Sequence, residues 1–235
     1  MSTFTVLGLV QEFTALRGLP TPTALVGSNE KSVAQYRAIL NDVVRRLLPY
    51  RWNQQKLLRS FSAVAAADQG ALTTLFPGFD AICEGTGWAT TRKIPLVGPI
   101  SDAEWATQNA LNLVGPPFKY WLGNNHLWIT PNPTAGEQFG LIYQTAYGYA
   151  SAAGVAQPAI LADTDQILFP DDVLIKGFEA SWKKQKGEAY QDDDNMFISL
   201  IAKKKSSDGL PHFSLDSKST STTPRIYIPV GNWLS

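Results

Sequence analysis

The hydrophobic periodicity of this sequence changes twice, and these changes constrain its fold more than any other feature. Over residues 5–48, apolar side chains recur every three or four positions, as on one face of an amphipathic helix. From Arg51 onward they fall in short runs between turn residues, which is typical of strands. Helical spacing returns after Pro170. Because helical segments flank a β-rich stretch, the sequence predicts an α+β fold whose N- and C-terminal helices pack together.

Four helices are expected in the two flanking segments. The second should begin at a cap on Ser28 or Asn29 and end at Pro49. Acidic residues at the start of the third and lysines near its end suit the helix dipole. The expected apolar faces are Val6, Leu9, Val10, Phe13 and Leu16; Val33, Tyr36, Leu40, Val43 and Leu47; Val173, Leu174, Phe178 and Trp182; and Met196, Phe197, Leu200 and Ile201.

The β-rich stretch contains two predicted hairpin turns and one predicted helix. Asp68-Gln69-Gly70 and Gly123-Asn124-Asn125 have the composition of such turns. Ser101 and Glu104 form a capping-box pattern that opens a helix. The predicted organisation is a helical domain from residues 1–50 and 165–205, a β-rich domain from 51–164 with this short inserted helix, and an extended C-terminal docking arm from 206–235.

The last thirty residues hold too few large apolar side chains to bury a core of their own. Near their end, apolar residues alternate with other side chains in a strand-like pattern. This pattern predicts an arm that adds as a strand to another surface, with another chain favoured and a return onto its own domain as the alternative. The predicted contact residues are Arg225, Ile226, Tyr227, Ile228, Val230 and Trp233.

Composition restricts the function classes. Lysine plus arginine and aspartate plus glutamate both number 20, so the chain lacks the cationic excess of a sequence-independent DNA binder. Low charge with zero net charge favours association between copies. Cys83 is the single cysteine, which excludes an intrachain disulfide. We expect neither a signal peptide nor a membrane span, since the first residues lack a basic region and no apolar run is long enough.

No residue pattern predicts catalysis, and we expect no catalytic, cofactor or metal site. The two histidines, His126 and His212, have no companions at metal-ligand spacing. The aspartates of segments 163–165 and 192–194 are expected to shape a turn and a helix start. Cys83 is expected to be buried packing, and Glu84-Gly85-Thr86-Gly87 a turn. Lys203, Lys204 and Lys205 are expected to be helix-end charges, with contact to DNA phosphates or an acidic partner as the functional alternative.

Four blocks in a fixed order resemble the head-to-tail adaptor (connector) proteins of tailed bacteriophages. They cover most of residues 6–190, and their order and combination are more specific than any block alone. The blocks are LVQEFTALRGLPTPTALVGSNEKSVAQYRAILND, AAADQGALTTLFPGFDAICEGTGWATTRKIPLVGPISDAEW, HLWITPNPTAGEQFGLIYQT and DTDQILFPDDVLIKGFEASWKKQKGEAY.

The resemblance implies a virion structural protein, not an enzyme, made in the host cytoplasm and located at the head–tail interface. Such adaptors form a homo-oligomeric ring, usually a dodecamer, beneath the portal. The implied partners are other copies of the chain, the portal protein, a downstream tail or nozzle protein, and the double-stranded genome in transient contact during ejection. The resemblance implies no cofactor and no membrane. One departure is the long tail, where relatives are expected to end in a short basic segment.

Three alternatives stay open. A neck or tail-completion ring would contact the tail tube instead of the portal. A cell-wall hydrolase would require a cleft with paired carboxylates. A carbohydrate-binding β module would require exposed, coplanar rings near Trp121 and Trp128, whereas core packing of this hairpin is the favoured interpretation.

Overall fold

The computed structural model describes residues 4–111 and 117–208, and it confirms the α+β fold. The α-helices are α1 Val6–Leu16, α2 Lys31–Leu47, α3 Leu72–Leu75, α4 Asp102–Leu111, α5 Asp171–Lys186 and α6 Gln191–Ser207. The strands are β1 Lys56–Ser62, β2 Asp68–Ala71, β3 Phe79–Ile82, β4 Gly87–Ala89, β5 Ile94–Val97, β6 Phe118–Gly123, β7 His126–Thr130, β8 Gln138–Thr145, β9 Tyr149–Ala150, β10 Ala156–Gln157 and β11 Gln166–Ile167. Short 3₁₀ turns at Leu48–Tyr50 and Asn53–Gln55 connect α2 to β1.

Four helices from both ends of the chain build one hydrophobic core. Helix α5 contacts α1, α2 and α6, so it lies at the centre of this helical layer. Its Phe178 is fully buried, with its ring centroid 4.5 Å from that of Phe13 on α1. The predicted apolar face of α2 is buried throughout. The expected packing of N- and C-terminal helices is therefore confirmed.

Helix starts and faces differ from expectation at three places. Glu30, not Ser28 or Asn29, occupies the N-cap position of α2, and its side chain makes no capping bond; the Ser28 hydroxyl instead accepts from the Glu30 N–H before the helix begins. Leu16 is 68% exposed at the last turn of α1. Met196 is exposed as well, since α6 buries only one row of side chains, Phe197 and Ile201, against α5. A narrow contact row leaves the flanks of a helix in solvent.

The main sheet has the strand order β1-β8-β4-β5-β6-β7-β2, and β3 also pairs with β8. All pairs are antiparallel except β5 with β6. A parallel pair cannot be joined by a tight turn, and here the connection passes through α4. The order places β1 at one end of the sheet and β2 at the other.

One predicted hairpin turn is confirmed and the other is wrong. Asn124 and Asn125 have φ angles of 53° and 61°, as a two-residue type I′ turn between β6 and β7 requires. Asp68, in contrast, begins β2, and residues 63–67 form the connection from β1. The Asp68 carboxylate accepts from the Gly70 N–H at 2.9 Å, but Gly70 lies at a register shift against β7. The hydrogen bond from the Gly70 N–H to the Asp68 carboxylate therefore accompanies a β-bulge here instead of a hairpin turn.

A small three-stranded sheet, β10-β9-β11, joins the helical core to the core under the main sheet. Tyr149 of β9 belongs to the helical core and the next residue, Ala150, belongs to the sheet core. The Tyr149 hydroxyl donates to Oδ1 of Asn41 on α2 at 2.7 Å. Burial raises the pKa of this phenol well above its ordinary value. The two cores therefore meet at β9.

The two aspartates before α5 have different roles. Asp165 shapes the local turn as expected, with Oδ2 accepting from the N–H groups of Leu161 and Ala162. Asp163 instead reaches across the fold, and its Oδ1 accepts from the N–H groups of Leu25 and Val26 at 2.9 and 2.8 Å. It therefore fastens the α1–α2 connector to the segment that leads into α5.

Asp163→Ala should lower the free energy of unfolding by about 1–3 kcal/mol, because two partly buried N–H groups lose their acceptor. Asp163→Asn keeps an oxygen at the same position and should cost less than half as much. Urea denaturation of both variants measures the difference. Equal losses in the two variants would show that the negative charge, not the acceptor geometry, matters here.

The turn between α5 and α6 is held by ion pairs. Lys183 Nζ lies 2.5 Å from Oδ2 of Asp193, and Arg46 of α2 lies 2.6 Å from Oδ1 of Asp194. These aspartates occupy the first turn of α6, as the sequence predicts. The hydrogen bond from Lys183 holds the pKa of the Asp193 carboxyl below its usual value. A carboxyl with a lowered folded pKa stabilises the fold above its unfolded pKa, and this contribution disappears as the pH falls through the folded pKa.

Asp193→Asn should therefore lower the free energy of unfolding by about 0.5–1 kcal/mol at neutral pH. The difference from the unmodified chain should shrink as the pH falls below 3.8, the ordinary value for the group. Asp192→Asn is the matched control, since the exposed Asp192 lies in the same helical turn. Denaturation at several pH values checks this. A difference that stays constant with pH would contradict the proposed ion-pair contribution.

Candidate functional site

One face of the main sheet carries a row of apolar side chains that the described residues leave uncovered. Strand register places Leu58 opposite Ile142, and Trp88 opposite both Gly140 and Pro95. Alternation along β8 and β5 puts all these positions and Val97 on the same face. We call this row the apolar strip; its members are Leu58, Trp88, Pro95, Val97 and Ile142.

The apolar strip is exposed although its strands are well packed on the other face. Leu58, Trp88 and Val97 are 71%, 50% and 42% exposed. Leu57 and Leu96, the residues directly before Leu58 and Val97, point to the opposite face of the sheet and are buried in its core. These strands are thus apolar on both faces, a pattern that the sequence shows as adjacent leucines in KLLRSFS and as the run IPLV. Sequence reasoning did not use this signal.

The other half of the same face is covered by α4. Trp105 of this helix stacks on Trp121 of β6, with ring centroids 5.3 Å apart and planes within 13°. Glu104 pairs with Lys119 of β6 at 2.6 Å. The predicted capping contact is present, since the Glu104 N–H donates to the Ser101 hydroxyl at 3.2 Å. Helix α4 therefore shields β6 and β7, and the apolar strip begins where this cover ends.

The tryptophans of the β6–β7 hairpin do not form a sugar-binding platform. The rings of Trp121 and Trp128 are tilted by 50°, and both are partly buried against Trp105. Their indole N–H groups donate to the Asp102 carboxylate and to the Gly123 carbonyl. The coplanar, exposed arrangement that a carbohydrate-binding module requires is absent from this hairpin. Core packing is confirmed for Tyr120, which is fully buried, whereas Trp121 and Trp128 are half-buried beneath α4.

The three lysines at the end of α6 are not presented together. Lys204 pairs with Asp172 at 2.7 Å. Lys205 contacts the Asp208 carboxylate and the Arg51 carbonyl, both at 2.7 Å, and its ammonium lies over the Trp52 ring. Lys203 is exposed and makes no ion pair with any described residue. Lys204 and Lys205 are therefore engaged by charged or polar groups, and Lys203 is the one of the three that pairs with no described carboxylate.

The predicted docking residues Arg225, Ile226, Tyr227, Ile228, Val230 and Trp233 lie outside the described residues. His212 lies there as well.

His126 forms a pair with Asp68 at the surface of the sheet. His126 Nδ1 lies 2.9 Å from both carboxylate oxygens of Asp68, and this hydrogen bond lowers the pKa of Asp68.

Cys83 is half-buried rather than buried, because the exposed turn at Glu84-Gly85 follows it directly. Across residues 4–111 and 117–208, no three His, Cys, Asp or Glu side chains are grouped to hold a metal ion.

The cleft between α1 and α5 does not present paired carboxylates. Its single carboxylate, Glu179, is engaged by Arg17, the C-cap residue of α1, and by Lys176 and Lys183 of its own helix. This grouping is an ion-pair network that joins two helices. Within the described part of the chain, no helix has both the length and the apolar character to cross a membrane.

The sequence matches no protein-family model and no curated protein. Among the described residues, the apolar strip is the strongest candidate for an interaction surface.

Proposed function

We propose that this chain is a structural subunit of a head-to-tail adaptor ring, which joins a phage capsid to its tail beneath the portal and lets the genome pass. The apolar strip carries this proposal. Monomeric proteins rarely keep adjacent large apolar side chains in water, and such patches mark protein–protein contacts. An aromatic and two branched aliphatic side chains on a firm sheet suit burial against another copy of the chain.

A ring requires that each copy use two different surfaces, because only a head-to-tail contact closes into a cycle of many subunits. The helical layer supplies exposed apolar side chains of its own, at Leu16, Met196 and Ile198. We propose that the apolar strip of one copy packs against the helical layer of the next. Zero net charge supports close packing of many identical copies, because their mutual repulsion is weak.

The lumen of such a ring must let DNA slide, so its wall should attract phosphates only weakly. Internal pairing of Lys204 with Asp172 and of Lys205 with Asp208 supports this, since each pair partly neutralises the positive charge at the end of α6. The order of the four sequence blocks supports the portal and a downstream tail or nozzle protein as partners.

Two mixtures distinguish the adaptor from a neck ring. One combines the chain with purified portal, and the other combines it with purified tails. Particle imaging of the mixtures should show rings on the portal. Rings that form only on the tail tube would support a tail-completion protein. A chain that joins neither particle and stays monomeric would contradict both assignments.

The double variant Leu58→Ser with Trp88→Ser should remain folded and associate at least tenfold more weakly, equivalent to about 1.4 kcal/mol. Both side chains are exposed, so each change should alter the free energy of unfolding by only about 0.5 kcal/mol. Mass photometry with and without portal measures assembly. Lys56→Ser, an exposed change on the same strand face, is the matched control. Unchanged assembly of the double variant would exclude the apolar strip as the ring contact.

A further inference from the structure

Strand β1 has a free edge. It pairs with β8 on one side, and no other described strand pairs with it. The Ala63 N–H donates to the Glu137 carbonyl at 2.8 Å, which fixes the phase of the β1–β8 ladder. Peptide groups alternate in direction along an antiparallel strand. Those of Leu57 and Arg59 therefore face β8, whereas those of Leu58 and Ser60 point away from the sheet.

This edge has the features of a strand-binding site. It is seven residues long and contains no proline, and its outward peptide groups belong to residues beside the apolar strip. Proteins usually cover or interrupt such an edge, because it would otherwise pair with any extended segment. An added strand would satisfy the outward N–H and C=O groups and give Leu58, which is 71% exposed, an apolar neighbour.

We propose that the free edge of β1 binds residues 225–230 of the same chain as an added antiparallel strand. This inference concerns a single copy and goes beyond the proposed ring. It selects the alternative in which the arm returns to its own domain. The position where α6 ends and the length of chain that follows support that choice.

The described chain ends beside the start of β1. The Asp208 carboxylate accepts from the N–H of Asn53 at 3.0 Å, and Asn53 lies three residues before Lys56. Sixteen residues, 209–224, then separate Asp208 from Arg225. An antiparallel strand would begin beside Ser62, at the far end of β1.

The linker length matches that span. A flexible chain of this length has a root-mean-square end-to-end distance of about 22 Å. The seven residues of β1 extend over roughly 20 Å. The local concentration of a tethered segment is highest when the linker matches the distance to its site. The chain's own segment therefore has an advantage over the segment of a second copy in dilute solution.

The segment fits one register. With Ile228 opposite Leu58, Ile226 lies opposite Ser60 and Val230 opposite Lys56, all at hydrogen-bonded positions. Side chains of directly opposed residues share a face, so the three apolar side chains of the segment would lengthen the apolar strip. Pro229, which has no N–H, would then face the new outer edge, where proline is tolerated and blocks further strand addition.

A pair of cysteines tests the register in the full chain. Leu58→Cys with Ile228→Cys, in a Cys83→Ser background, should form an intrachain disulfide at low protein concentration. Hydrogen-bonded antiparallel partners have Cα atoms about 5.5 Å apart, within disulfide range. Leu58→Cys with Tyr227→Cys is the control, because its second cysteine would point to the other face, and it should crosslink at least tenfold more slowly.

Each other outcome of this experiment would overturn the proposal. Disulfide-linked dimers would identify a second copy as the occupant. Equal rates for the two pairs would indicate random collision, and no crosslinking in either pair would leave the edge unoccupied. Since the readout is the state of one copy, it can fail while ring assembly on the portal succeeds.

Amide exchange gives a second readout without cysteines. In the full chain, the Leu58 and Ser60 N–H groups should be protected, and Ile228→Pro should speed their exchange at least tenfold. The Leu57 and Arg59 N–H groups face β8 and should not change. Pro229→Ala should leave all four as they are. Fast exchange of Leu58 and Ser60 in the unmodified chain would contradict the proposed strand.

Discussion

Backbone pairing along β8 determines both the apolar strip and the free edge of β1. This eight-residue strand pairs with β1 on one side and with β3 and β4 on the other. Its register aligns the apolar strip across four strands, and its hydrogen-bond phase turns alternate peptide groups of β1 outward. A slip of one residue would exchange the two faces of β1 and bury Leu58 in place of Leu57. The inner face prevents this, since Phe139 and Leu141 are fully buried.

The interaction surfaces lie on a body that is held together by contacts between distant parts of the chain. The helical core combines segments from both ends of the sequence, so closing it costs loop entropy that buried aromatic side chains must offset. Tyr149 and Asp163 act at the junctions: the first joins the sheet to α2, and the second joins the α1–α2 connector to the segment before α5. Such contacts suit the proposed role of a subunit that joins two larger assemblies.

Several features that depend on interactions between residues close in sequence were predicted correctly. The apolar face of α2, the start of α5 after Pro170 and the Asn124–Asn125 turn all follow from periodicity, dipole and φ preference. The prediction at Asp68 was wrong because a carboxylate bonded two residues ahead stabilises a bulge as well as a turn. The long-range bonds of Asp163 could not be predicted, since neither composition nor spacing identifies a partner 138 positions away.

The candidate site was predicted less well than the fold. Lys203, Lys204 and Lys205 are adjacent in sequence, yet their charges are used differently, because Lys204 pairs with Asp172 of α5 and Lys205 pairs with Asp208 at the end of its own helix. The apolar strip was missed because exposure depends on which face α4 covers, and this is a tertiary property. The sequence does contain one signal of the apolar strip, which is that its strands carry apolar residues at successive positions.

The division of the helical core between the two ends of the chain has a consequence for biosynthesis. Helices α1 and α2 leave the ribosome first, but the side chains that cover them, such as Phe178 and Phe197, are translated more than 100 residues later. At about 5–20 residues per second, the apolar faces of the nascent helices wait on the order of 10 s for their partners. During that interval the uncovered apolar faces have the character that chaperones recognise in unfinished chains, so we expect the yield of folded protein to rise when such chaperones are abundant.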